Sequence, residues 1–163
     1  NEDTELTGNM KLKLWVSAEE ADDMDLFVGI KKFNKKGEEV NFPDFNHIEH
    51  GQVASGWLRV SHRELDTEKS TPLQPWHKHE SELKLAKDEI VPVEIEILPS
   101  STLFKKGEQL EVVINASEVV KGNSTPGLKT RYEHEETVNK GIHNIYVGGK
   151  YDSHILVPEI CHK

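Results

Sequence analysis

A single cysteine, Cys161, stands in 163 residues. A lone thiol builds no internal disulfide framework and no thiolate metal site. It is compatible with a reducing compartment, so a cytoplasmic location is expected. Long hydrophobic runs are also missing: none approaches the ~20 residues that span a bilayer, and no signal-peptide pattern is visible. Basic charge is short as well. Lys and Arg number 20 against 29 Asp and Glu, and the resulting net charge of −9 repels nucleic acid and anionic membrane alike. The cations are scattered, without an arginine-rich or aromatic RNA-binding signature. Neither nucleic acid nor membrane is therefore expected as a partner. No internal repeat is evident, and no amphipathic helix runs longer than one or two turns.

What remains is alternation. Hydrophobic residues make up only 35% of the chain, a share that a two-layer β fold tolerates because each strand exposes one face. Val91, Val93, Ile95 and Ile97 alternate with Pro92, Glu94 and Glu96, the period of a half-buried strand. Pro99-Ser100-Ser101-Thr102 reads as a polar break. After the turn residues Lys105-Lys106-Gly107, Leu110, Val112 and Ile114 form a second alternating run. Met10, Leu12, Leu14 and Val16 predict a strand over 10–16, and Leu26, Val28 and Ile30 predict one over 26–33. Asn34-Lys35-Lys36-Gly37 is a hairpin turn, with 38–42 returning along it. Irregular chain follows over 43–51, then a strand over 53–60 with Trp57 and Arg59 on one face. A long polar connection occupies 61–87, and a loop of that length is usually functional or packed on another surface. Polar loops are expected over 118–139, and a closing hairpin over 142–157 turning at Gly148-Gly149. About eight short strands with polar loops argue for an all-β jelly-roll sandwich in one domain spanning 1–163. The chain opens on Asn1 rather than Met, so a fragment of a longer protein is expected.

Chemical motifs are sparse. Gly122-Asn123-Ser124-Thr125-Pro126-Gly127 fails the nucleophile elbow G-x-S-x-G, because Pro126 occupies the place of the second glycine and no strand-then-helix pattern flanks it. His77-Lys78-His79 with Glu82 echoes the metal motif of cupins, but the spacing is one residue short and the second half of the motif is missing. Exposed histidines in a polar loop are the plainer reading. His47 and His50 lie three apart in irregular chain. Glu19, Glu20, Asp22, Asp23 and Asp25 offer oxygen ligands, but not in the order of a calcium loop, and a solvated acidic loop is expected. Trp15, Trp57 and Trp76 could stack on sugar rings, yet they come from three separate segments, and core or interface packing accounts for them equally. No cofactor and no metal site is expected.

Three ordered segments carry a resemblance. The first runs Ala54-Ser55-Gly56-Trp57-Leu58-Arg59-Val60-Ser61-His62-Arg63-Glu64-Leu65-Asp66 and continues at Pro75-Trp76-His77. The second runs Ile90-Val91-Pro92-Val93-Glu94-Ile95-Glu96-Ile97-Leu98-Pro99-Ser100-Ser101, then Leu103-Phe104-Lys105-Lys106-Gly107. The third is His143-Asn144-Ile145-Tyr146, then Ser153-His154-Ile155-Leu156-Val157-Pro158. In order and spacing, nearly the whole chain resembles the C-terminal domain of X-prolyl dipeptidyl-peptidases, cocaine esterase and cephalosporin acylases. The resemblance implies a jelly-roll sandwich, similar to galactose-binding modules, attached to an α/β-hydrolase domain of the same polypeptide. That domain would hold the Ser-Asp-His triad, so no catalytic residue carries over to this chain. Where the family has a His and then an Arg after Phe-x-x-Gly, this chain has Glu108 and Glu111. The family also usually has one more strand before Thr4-Glu5-Leu6-Thr7-Gly8, and its absence would leave an exposed sheet edge near Met10–Val16 and an opening for a homo-oligomer. The role expected is to pack on the catalytic domain and shape the substrate entrance, with Trp57, Arg59, His62, Arg63 and Trp76 at that interface. Local structural roles are the alternative for each of these residues. A carbohydrate-binding module is the competing reading, and a metal-dependent enzyme using His77 and His79 is a third.

Overall fold

The computed structural model describes residues 2–42, 51–119, 134 and 136–161. Two antiparallel sheets pack face to face as a β-sandwich. The first sheet is built around β1 (Thr4–Ala18), which pairs along one edge with β5 (Val91–Phe104). Along its other edge lie β7 (His143–Tyr146), β8 (His154–Leu156) and β9 (Glu159–Ile160) in succession. The second sheet is built around β2 (Asp25–Phe33). It is flanked by β3 (Glu39–Val40) and β4 (Ala54–Arg59) on one edge and by β6 (Gln109–Asn115) on the other.

The alternating residues fill the space between the sheets. Met10 lies opposite Ile97, Leu12 opposite Ile95, Leu14 opposite Val93 and Val16 opposite Val91. All eight are buried, and Leu26, Val28, Ile30 and Leu58 meet them from the second sheet. Each such side chain contributes about 1.5–3 kcal/mol by leaving water. Leu110, Val112 and Ile114 of β6 pack on the same core from its margin.

Three expectations are corrected. The Pro99–Thr102 stretch does not interrupt the strand, because β5 runs through it to Phe104. Gly8 pairs with Ser100 and Met10 with Ile97, so Leu98 and Pro99 together oppose Asn9. A proline has no N–H to donate, and a bulge is where a paired strand tolerates it. Gly8 adopts φ 131° beside the bulge, in the region that favours glycine. Second, Met10–Val16 is not an exposed edge: β1 is central, with β5 on one side and β7 and β8 on the other. Third, 142–157 is not a hairpin. β7 and β8 both pair with β1, Tyr146 opposite Trp15 and His154 opposite Lys13. Two steps along β1 are thus matched by eight along its partner, and the excess leaves as a loop that turns at Gly148 and Gly149, with φ 78° and 58°.

The sheets come into backbone contact where β4 crosses β5. An added Cβ at Gly56 would lie 2.1 Å from the Glu96 carbonyl oxygen, closer than any carbon–oxygen contact allows. A Gly56→Ala variant is expected to lose about 3 kcal/mol of stability through forced separation of the two strands, read by urea denaturation. A loss under about 0.5 kcal/mol would show that the crossing yields freely.

Candidate functional site

The Gly56 crossing forms part of the floor of a groove of about 420 Å³. Trp57 and Arg59 enter from the outward face of β4, and Glu96 and Leu98 from the outward face of β5. A 3-10 turn at Val60–His62 supplies His62, and the long connection that follows supplies His77 and His79 on the same side. His134 and Glu136 line the groove from beyond β6. The His134 ring packs against both Phe27, at 5.4 Å between centroids, and Trp57, at 5.3 Å. Its Nδ1 lies 2.6 Å from Glu118.

Two acidic residues hold these walls in place. Asp25 is buried and receives a bidentate pair from Arg59, Nε at 2.8 Å and Nη2 at 3.0 Å. The same carboxylate accepts the Val138 N–H at 3.0 Å, and Asn139 bonds the Asp25 backbone on both sides. The carboxylate beside Arg59 favours the charged guanidinium and raises its pKa. Asp23 is 1% exposed. It accepts the backbone N–H groups of Met24 and Ser61, each at 2.9 Å, and the Lys84 ammonium at 3.0 Å. Burial favours its protonated form, but those hydrogen bonds outweigh it and hold the carboxyl below its usual range. The 19–25 run is therefore not a solvated loop throughout. Its two buried members are structural anchors, already saturated with donors. Among the described residues, no three His, Cys, Asp or Glu side chains group in a way that could hold a metal ion.

Of the residues singled out in the sequence, Trp57, Arg59 and His62 meet in the groove, while Arg63 and Trp76 do not line it. Arg63 donates from Nη1 to the carbonyls of Val60 and Leu83, pinning the connection to the 3-10 turn. Trp76 is 49% exposed, with the Lys69 ammonium 5.9 Å from its ring centroid. Trp57 is 47% exposed and so does not fill the core. Trp15 does not line the groove either; it makes an edge contact with Tyr151. The three tryptophans thus form no single platform among the described residues. His47, His50 and the Gly122–Gly127 stretch lie outside the described residues. Glu108, at a position where a basic residue is usual in the resembling family, is spent within the domain: it pairs with Lys32 at 2.7 Å and accepts the Lys105 N–H. Glu111 stands opposite Lys31 in the β2–β6 register.

His77 is half-buried, with Nε2 2.9 Å from the Glu94 carbonyl. A carbonyl only accepts, so Nε2 carries the proton and donates it. Burial pushes this imidazole below its ordinary 6.5, and the neutral ring is the form the fold prefers.

A model of the X-Pro dipeptidyl-peptidase C-terminal non-catalytic domain matches residues 1–156. Two crystal structures of a CocE/NonD family hydrolase from Staphylococcus aureus are similar to this chain, with TM-scores of 0.95 and 0.94. Each is 74% identical over 98% of this chain and 29% of theirs. This chain thus spans 29% of the length of the hydrolase it matches. No curated protein matches it.

The His77 geometry has a pH consequence. With its folded pKa below 6.5, the unfolded chain binds more protons just below that value. Stability is then full above pH 6.5 and falls as pH drops toward the folded pKa. Denaturant titrations across this window should show the decline, and His77→Gln, which keeps a donor for Glu94, should flatten it. A variant with the same slope as the parent sequence would assign the decline elsewhere.

Proposed function

The chain belongs to the family of X-Pro dipeptidyl-peptidase C-terminal non-catalytic domains, and from that premise we propose that it is the accessory domain of a serine hydrolase. It packs, as one domain spanning 1–163, on an α/β-hydrolase catalytic domain of the same polypeptide and helps shape the substrate entrance. The observation that carries this reading is the 74% identity to a 29% portion of a CocE/NonD family hydrolase. The reaction assigned to the parent is attack of a serine on an ester or amide carbonyl through an acyl-enzyme. The substrate class is an X-Pro peptide or a small acyl ester or amide. None of that chemistry is assigned to residues of this chain.

The face that meets the catalytic domain is placed at the groove. A half-exposed Trp beside an Arg that is already oriented by a buried carboxylate is the composition of an interface anchor. Trp57, Arg59 and His62 are its contact residues, and Arg63 and Trp76 act at its margin by shaping and flanking the connection. No helix among the described residues is long and apolar enough to cross a membrane. A single exposed thiol, Cys161, is the ground for placing the parent protein in the cytoplasm.

Trp57→Ala and Arg59→Ala in the parent polypeptide test this. Loss of an aromatic anchor costs about 2 kcal/mol of docking, so the Trp57 variant should melt earlier and hydrolyse its substrate several-fold more slowly. This chain alone should tolerate Trp57→Ala, because the indole is half in solvent. Unchanged hydrolysis and unchanged melting of both parent variants would remove the interface.

A further inference from the structure

The groove has a definite electrostatic character. Among the described residues three carboxylates line it, Asp25, Glu96 and Glu136, against one fixed cation, Arg59. Asp25 and Arg59 neutralise each other through their bidentate pair. That leaves Glu96, from β5, and Glu136, from beyond β6, as surplus negative charge among the described residues. Glu96 accepts from Asn9 at 3.0 Å and Gln74 at 2.9 Å, both on Oε1, which fixes the carboxylate and leaves Oε2 without a partner among the described residues. Glu136 is exposed and makes no hydrogen bond or ion pair among the described residues. Trp57 is 47% exposed, with the His134 ring against part of the indole, and its N–H has no partner among the described residues.

A half-exposed aromatic ring sharing a groove with two carboxylates that each keep an oxygen without a partner among the described residues is the chemistry that receives an organic cation. The ring quadrupole attracts the cation, a planar guanidinium also stacks on the ring, and the carboxylates accept its N–H groups. The inference rests on the docking reading above and specifies its chemistry: we propose that the groove is the seat of an Arg or Lys side chain projecting from the catalytic domain, held over Trp57 between Glu96 and Glu136. Charge complementarity selects this occupant. An acidic segment would face repulsion from both carboxylates, and a purely apolar one would bury them unpaired.

The test uses this chain with acetyl-arginine amide and its uncharged isostere acetyl-citrulline amide. Tryptophan fluorescence is followed at pH 8, where imidazole in general is neutral, and Trp57→Phe identifies the responding ring. The arginine probe should bind about tenfold more tightly than the citrulline probe, and salt should weaken it. The Glu96→Gln/Glu136→Gln double variant should erase the difference, since glutamine keeps an acceptor for Asn9 and Gln74 but not the charge. Equal binding of the two probes, no saturable response to arginine, or a preference that survives in the double variant would overturn the cation seat. The docking reading is judged separately, by acrylamide quenching of Trp57 in the parent polypeptide and in this chain. Equal quenching in both would sink docking, and with it the seat. Shielding in the parent with no discrimination between probes would sink the seat alone.

Discussion

Asp23 and Asp25 are both buried where β2 begins, and an ionised carboxylate in that position costs several kcal/mol unless donors surround it. The fold supplies them from separate parts of the chain. Asp23 draws in Ser61 and Lys84, the two ends of the long connection. Asp25 draws in Arg59 from β4 and Val138 from the segment beyond β6. One wall of the groove thus hangs on the first carboxylate, and the other wall and part of the floor hang on the second. The groove keeps its shape because two charges in the interior must be satisfied.

That dependence explains what could and could not be read along the chain. The inward faces were visible, since Met10 to Val16 and Val91 to Ile97 alternate cleanly and pair with one another. Trp57, Arg59 and His62 were visible as a cluster because one strand and the turn after it carry all three. Glu96, Leu98, His134 and Glu136 come from two further segments, and only the topology brings them to the same place. Glu96 did have a local signal, the acidic outward face of its strand, but nothing near it in sequence said which neighbour it would face. The burial of Asp23 and Asp25 within the acidic run is illegible for a related reason. Apart from the adjacent Met24 N–H, the partners of these two carboxylates lie between 34 and 113 residues away, beyond any window of local pattern.

The two misread strands share a cause. Proline and paired glycines interrupt regular hydrogen bonding, but an interruption can be absorbed without ending a strand or reversing its direction. Pro99 sits in a bulge opposite Asn9, and Gly148-Gly149 turn a loop out of a segment that then resumes along β1. In both places the long uninterrupted strand β1 acts as the template, and its partner accommodates the mismatch. The chemistry of a turn residue specifies the local backbone and leaves the larger path to pairing.

The placement of β1 also governs when the domain can form. Its two neighbours are drawn from residues 91–104 and 143–160, so β1 waits for pairing partners made much later along the chain. Pairings so distant in sequence close slowly. A nascent or clipped chain that stops short of residue 143 would present a long strand with one row of backbone donors and acceptors bare, a surface that invites pairing with another chain. Proteolytic loss of the final segments would therefore show itself first as self-association, before any loss of the core.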